Sequence, residues 1–160
     1  MTTGVTVLNV AATNDAACAL LAQLHRRAFE PQGDTVWKAS SFKQLLESPG
    51  VQAEVFQQDD QPYGFCLYRV VAGEAELISI AVDPSYQKRG LASYIMKHLL
   101  RTLADSGVLS FFLEVRKDNF AAISLYQRFG LKQVGVRADY YKNSDGKVMD
   151  AAVLCCDISQ

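Results

Sequence analysis

The stretch Val82-Asp83-Pro84-Ser85-Tyr86-Gln87-Lys88-Arg89-Gly90-Leu91-Ala92 decides how this chain is read. It joins an apolar, strand-like segment ending in Ile80-Ala81-Val82 to a long amphipathic segment. Gln87, Gly90 and Ala92 give the spacing Q-x-x-G-x-A, a small-residue turn feeding straight into a helix start. Backbone N–H groups at such a start have no intrahelical partner, and the helix dipole favours an anion there. Glycine lets a diphosphate approach the backbone without meeting a Cβ. Gln87, Lys88, Arg89, Gly90, Leu91 and Ala92 therefore read as an anion cradle. The G-K-[ST] of a P-loop and the third glycine of a dinucleotide fingerprint are both missing, so neither ATP nor NAD is implied.

Outward from the turn, the chain has the properties of one ordinary domain over residues 1–160, long enough for a sizeable core. Hydrophobic residues make up 49% and charged ones 21%, which separates it from disordered chains. A formal net charge of -1 argues against broad electrostatic capture of nucleic acid. The N-terminus lacks the basic and apolar regions of a signal peptide, and no apolar run approaches membrane length. Cys18, Cys66, Cys155 and Cys156 are scattered without C-x-x-C, and read as small core hydrophobes in a reducing cytosol. A cytoplasmic monomer with no metal, nucleic-acid or membrane partner is the expectation.

Residues 5–10 alternate weakly, as an edge strand does. Thr13 or Asn14 can cap a helix whose Ala17, Leu20, Leu21, Leu24 and Ala28 share one face. A loop with Pro and Gly over 29–39 leads to a short helix, capped by Ser40 or Ser41 and ended by Ser48-Pro49-Gly50. Residues 51–57, 63–71 and 75–82 are three strand candidates. After the cradle, Leu91, Ile95, Met96, Leu99, Leu100 and Leu103 form an apolar helix face, stopped at Ser106-Gly107. Residues 109–115 are nearly all apolar, the pattern of a strand buried on both faces. Asp118 or Asn119 caps a helix over 120–129, and Gly130 stops it. Residues 131–141, the turn Asn143-Ser144-Asp145-Gly146, and residues 147–156 form a closing hairpin. The order β-α-α-β-β-β-α-β-α-β-β predicts a mixed α/β or α+β fold, with about four helices flanking a mostly antiparallel mixed sheet.

Three features coincide: the cradle after Ile80-Ala81-Val82, the strand end Leu113-Glu114-Val115-Arg116, and Asn119-x-x-Ala122-x-x-Leu125-Tyr126-x-x-x-Gly130. Together they resemble the GCN5-related N-acetyltransferase superfamily, most closely its bacterial RimI branch of ribosomal-protein alanine N-acetyltransferases. The likeness is densest over 74–150 and thinner over the first third. It implies acetyl-CoA as acetyl donor, its diphosphate over the backbone of Gln87 to Ala92. The pantetheine arm would lie along Ile80, Ala81 and Val82 as an added strand does. Asn119 matches a position that reaches this arm. Glu114 matches the branch's proposed general base and Tyr126 its proposed general acid, with attack direct in a ternary complex. Tyr140 and Tyr141 resemble paired aromatics bordering the peptide site, and Trp37 could form the opposite wall. The loop over 29–37 is longer than the compact loop of many branch members, so the match is weakest where the acceptor is chosen.

The chemistry is consistent with a single carboxylate. An α-amine has a reference pKa near 7.7–8.0 and a lysine amine one near 10.4, a gap of roughly 3.5 kcal/mol. One glutamate is an adequate base for the easier acceptor. Against these roles stand blander ones: Glu114 as a strand-end carboxylate paired with Arg116, Lys88 or Arg137, Tyr126 as a core tyrosine, and Trp37 as a loop anchor. Tyr140 and Tyr141, being consecutive, would point to opposite faces of a regular strand. Glu74, Glu76 and Asp139 could attract a basic peptide or simply form a solvated face. His25 and His98 show no visible partner, and Cys66 has no histidine base nearby, which disfavours an acyl-cysteine route. Acetylation of a small amine and non-catalytic sensing of an acyl-CoA are the competing functions.

Overall fold

The computed structural model describes residues 4–142 and 145–158. Seven strands form one sheet: β1 (Val5–Val10), β2 (Val51–Gln58), β3 (Gln61–Val71), β4 (Glu74–Val82), β5 (Ser110–Arg116), β6 (Lys132–Lys142) and β7 (Val148–Asp157). Their spatial order is β1-β2-β3-β4-β5-β7-β6. Every neighbouring pair is antiparallel except β4 and β5. Helices α1 (Asp15–Phe29) and α2 (Ala39–Leu46) cover one face; α3 (Leu91–Asp105) and α4 (Phe120–Arg128) cover the other. Asn143 and Ser144 of the expected hairpin turn lie outside the described residues.

Strand alternation divides the core in two. Ala53, Val55, Phe65 and Leu67 pack under α1 and α2 with Leu21, Leu24 and Phe42. Phe56, Tyr63, Cys66 and Tyr68 face the α3 side with Ile95, Met96 and Leu99. Asn14, not Thr13, caps α1 by accepting the Ala17 amide at 3.0 Å. Neither Ser40 nor Ser41 caps α2. The helix already begins at Ala39, with Lys38 in the capping position and no side-chain bond, so both serines fall inside its first turn.

β5 is not buried on both faces as its composition suggests. Phe111, Leu113 and Val115 are buried towards α3 and α4, whereas Phe112, Glu114 and Arg116 are half-buried on the opposite side. The reason is coverage: the core under α1 and α2 draws on β1 to β4 and includes no β5 residue. The two histidines are partnered. His25 is buried, its Nδ1 accepts the Trp37 amide at 3.3 Å, and its ring stacks on Trp37 at 4.9 Å. His98 Nε2 lies 2.9 Å from buried Glu54, which also accepts the Tyr68 hydroxyl at 3.2 Å.

The feature that makes a site is a divergence in the middle of the sheet. β4 and β5 pair only over Glu74–Leu77 and Ser110–Leu113. Across β3, Leu67 pairs with Ser79 and Tyr68 with Leu77, leaving Ile78 as an extra, unopposed residue. A bulge adds local twist and bends the strand that carries it. Here it falls directly after the last β4–β5 pair, so residues 78–82 leave β5 and open a cleft at the C-terminal ends of two parallel strands.

Candidate active site

One wall of the cleft is the edge of β4 and the turn beyond it. Asp83, buried, accepts the Ser85 amide at 2.9 Å and the Ser85 hydroxyl at 2.7 Å, and pairs with Arg27 at 2.8 Å. These contacts fix where the chain leaves the sheet. The Gln87 side-chain amide donates to the Val82 carbonyl at 3.2 Å, folding the turn back over the strand end. Lys88 (φ 65°) and Gly90 (φ 74°) are both left-handed, which turns the exposed segment 87–90 into the start of α3. The first α3 bond runs from the Tyr94 amide to the Gly90 carbonyl at 3.1 Å. The amides of Leu91, Ala92 and Ser93 therefore precede the hydrogen-bonded ladder, as an anion site requires. Arg89 sits 5.3 Å over the Tyr86 ring. Beside Tyr86, Tyr63 is fully buried with a hydroxyl that has no partner among the described residues.

The other wall is β5 with the closing hairpin. The Glu114 side chain is 17% exposed and both its carboxylate oxygens lie 3.2 Å from Arg137 Nη1. The Tyr141 hydroxyl donates to the Glu114 backbone carbonyl at 2.9 Å. Tyr140 packs edge-on against Tyr141 with ring centroids 5.0 Å apart, and Arg137 lies 4.1 Å over the Tyr140 ring. Burial, then the facing Glu114 carboxylate, raises the Tyr140 phenol above its usual range. Tyr126 is buried on α4, raised well above the ordinary phenol range by burial and then by the neighbouring Tyr141. Asn119 caps α4 by accepting the Ala122 amide at 3.2 Å; its NH2 group has no partner among the described residues.

Tyr140 and Tyr141 do not point to opposite faces. Between the pairs Arg137–Ala151 and Tyr141–Met149, β6 carries three residues against one on β7, and Asp139 is left-handed at φ 52°. This bulge resets the alternation and brings both rings to Glu114. The pairing of Glu114 with Arg137, one of three cations considered, is also settled by this local shape. Trp37 stacks on His25 and lies 5.5 Å from Phe42, contacts that anchor its loop to the core under α1 and α2. What the sequence did not disclose is Asp34, which accepts from Arg116 Nη1 at 2.6 Å and ties that loop to the end of β5. An aspartate following a loop glycine gives no signal of an ion pair made across the sheet.

The profile of the Acetyltransferase (GNAT) family matches residues 18–131. The chain belongs to this family. It is 40% identical over 121 residues to the [ribosomal protein bS18]-alanine N-acetyltransferase of Escherichia coli K12, covering 74% of this chain and 81% of that protein. The crystal structure of the ribosomal-protein-alanine N-acetyltransferase from Escherichia coli superimposes with a TM-score of 0.83 at 31% identity, covering 98% of this chain and 95% of that one. Arabidopsis thaliana NAA60, solved in complex with acetyl-CoA, shares the fold alone, with a TM-score of 0.77 at 16% identity over 96% of this chain and 98% of that one. The protein is thus an acetyl-CoA-dependent N-acetyltransferase of the GNAT fold, with the RimI branch as its kin. Among the described residues no helix is long and apolar enough to cross a membrane.

Proposed function

We propose that this enzyme acetylates the amino-terminal alanine of a ribosomal protein by direct attack in a ternary complex. Glu114 is the base and Tyr126 the donor to the leaving group. The carrying observation is the position of Glu114: at the end of β5, across the opening from the bulged β4, with Tyr140 and Tyr141 gathered around it. The names of the relatives support the acceptor class.

The residues present fit the donor. Residues 78–82 offer a strand edge that β5 does not pair, suited to an amide-bearing arm laid alongside Ile80, Ala81 and Val82. Over Gln87 to Ala92, Lys88 and Arg89 supply positive charge and Leu91 and Ala92 supply amides ahead of the α3 ladder for a diphosphate, with Gly90 leaving room, and the Asn119 NH2 supplies a further donor to the arm. When bound, acetyl-CoA provides an acetyl group activated as a thioester and a thiol as leaving group.

Glu114 takes the proton that the attacking amine must lose as its nitrogen bonds to the acetyl carbon and the carbon–sulfur bond breaks. A single carboxylate suffices because an α-amine is already about one-tenth neutral at pH 7. Burial keeps the Tyr126 hydroxyl protonated at any working pH. Full transfer to a thiolate, whose thiol has a pKa near 8.5, is uphill from such a phenol. The larger effect of Tyr126 is therefore a hydrogen bond to the sulfur that strengthens as negative charge grows there. Tyr140, Tyr141 and the loop that Trp37 anchors border the acceptor's path.

The test is kinetic. The protein is given acetyl-CoA with an alanine-starting basic peptide, or with a panel of free small amines, and products are read by mass spectrometry. The peptide should be preferred, and Glu114→Gln should lower its turnover by about 10²–10⁴-fold. Preference for free amines would reject the acceptor, and an undiminished Glu114→Gln variant would reject the base.

A further inference from the structure

Resting on the reading of Glu114 as base, we infer that Arg137 is a removable cover over it, suppressing wasteful thioester hydrolysis until an acceptor arrives. A general base beside a bound thioester can activate water as well as an amine. In that side reaction water's oxygen bonds to the acetyl carbon, its proton passes to the carboxylate, and the carbon–sulfur bond breaks, giving acetate and free thiol. An enzyme whose base stood open would lose its donor whenever the acceptor was absent.

The geometry supplies the cover. Among the described residues Arg137 is the one cation in contact with Glu114, its Nη1 lying 3.2 Å from each carboxylate oxygen, while the Tyr140 phenol hydrogen-bonds the same carboxylate. Those are the atoms that a water or an amine would need. Glu114 itself is 17% exposed, whereas the Arg137 side chain is 57% exposed. The guanidinium therefore closes the carboxylate from its solvent side without being buried there. Its other recorded contact is the Tyr140 ring at 4.1 Å, which is itself exposed. The β6 bulge with left-handed Asp139 sets Arg137 and the two tyrosines around one carboxylate.

The cover is also cheap to lift. With its Arg137 end in solvent, the pair is treated as a surface one, which favours its closed form by no more than about six-fold. An arriving α-ammonium group replaces one cation on Glu114 by another, so the exchange leaves no uncompensated charge. Once the amine is acetylated it is neutral, holds the carboxylate no longer, and Arg137 returns. Arg137 thus acts through Glu114 and is a positioning residue.

Two readouts test this in Arg137→Gln. With acetyl-CoA and no acceptor, thiol release should rise about two- to six-fold, the gain in open base that removal of such a pair allows. With the alanine-starting peptide, the acceptor KM should fall by a similar factor while kcat stays within about two-fold, because the cover no longer competes. Arg137→Lys should restore both values towards the parent. The double variant Glu114→Gln/Arg137→Gln should lose the extra hydrolysis, which shows that it runs through the carboxylate. Unchanged hydrolysis, or a raised KM, in Arg137→Gln while Glu114→Gln is inactive would overturn the cover and leave the base standing. An active Glu114→Gln enzyme would instead remove the base reading itself. A merely structural arginine would lower kcat and thermal stability together and would not raise hydrolysis.

Discussion

Gly64 offers a sharp test of how the sheet holds the β4 edge proposed to take the coenzyme arm. It pairs with Val82 across β3 and β4, opposite the end of the strand that leaves β5. A Cβ there would lie 2.5 Å from the Ala81 carbonyl oxygen, 3.2 Å from Ile95 Cδ1 and 3.4 Å from the Val82 Cα. The first contact is with backbone, so Gly64→Ala forces β4 outward at Ala81 by roughly 0.9 Å to reach ordinary contact. Overpacking of this kind costs about 1–3 kcal/mol, offset by about 0.4–1 kcal/mol from the stiffer unfolded chain. The net central cost is about 1.3 kcal/mol, and at about 2–4 °C per kcal/mol for a chain of this size the melting temperature should fall by about 3–5 °C. A displacement of that size also breaks a hydrogen bond made by this edge, since geometry beyond about 3.5 Å no longer counts as one. One such bond is worth about 0.5–1.5 kcal/mol, so KM for acetyl-CoA should rise about two- to thirteen-fold. Gly135→Ala is the control, because no atom lies within 4 Å of its Cβ position and its φ is not left-handed. Thermal unfolding and steady-state kinetics on both variants decide the matter. If the two alanine variants match each other in melting temperature and coenzyme KM, the claim that the β3–β4 approach positions this edge is wrong.

Three further expectations follow from the same geometry. Tyr126→Phe removes the buried donor while keeping the ring, so kcat should drop about 10²-fold with acetyl-CoA binding nearly unchanged; calorimetry alongside turnover separates the two. Gly90→Ala places a Cβ at φ 74°, and should cost about 1–2 kcal/mol and weaken coenzyme binding, measured by urea unfolding and calorimetry. Burial lowers the His25 imidazole to about 4, well under its ordinary value, because the folded core disfavours the charged form. The unfolded chain then binds the extra proton between about pH 6.5 and 4, so stability is full above 6.5 and lost as pH falls through that window. The loss from this group is about 3 kcal/mol by pH 4. His25→Phe should flatten that part of the stability–pH curve, and an unchanged slope would show that other groups carry it.

The element order was legible because each segment carries its own local physics. The helix faces repeat at three and four residues, Asn14 and Asn119 can cap, and Gly107 and Gly130 stop helices wherever they stand. The turn into α3 was equally plain, since Gly90 before an amphipathic run marks a helix start through the chain's own geometry. Glu114 and Tyr126 could be singled out only through the resemblance of their flanking motifs, because a lone glutamate or tyrosine has many duller uses. The apolar run over 109–115 suggests a doubly buried strand, yet Phe112 and Glu114 lie on the face the α1–α2 layer does not reach, since composition does not say how far a helix layer extends over a sheet.

By itself, then, the amino-acid sequence determined the order of strands and helices and the small-residue turn that starts α3, all set by interactions among residues close along the chain. The tertiary structure alone decided three things: the Ile78 bulge that parts β4 from β5, the β6 bulge that turns Tyr140 and Tyr141 towards one carboxylate, and the choice of Arg137 as its partner. Each depends on register between strands far apart in sequence. A one-residue slip there reverses which face every side chain takes, and no local pattern records which slip the packed sheet prefers.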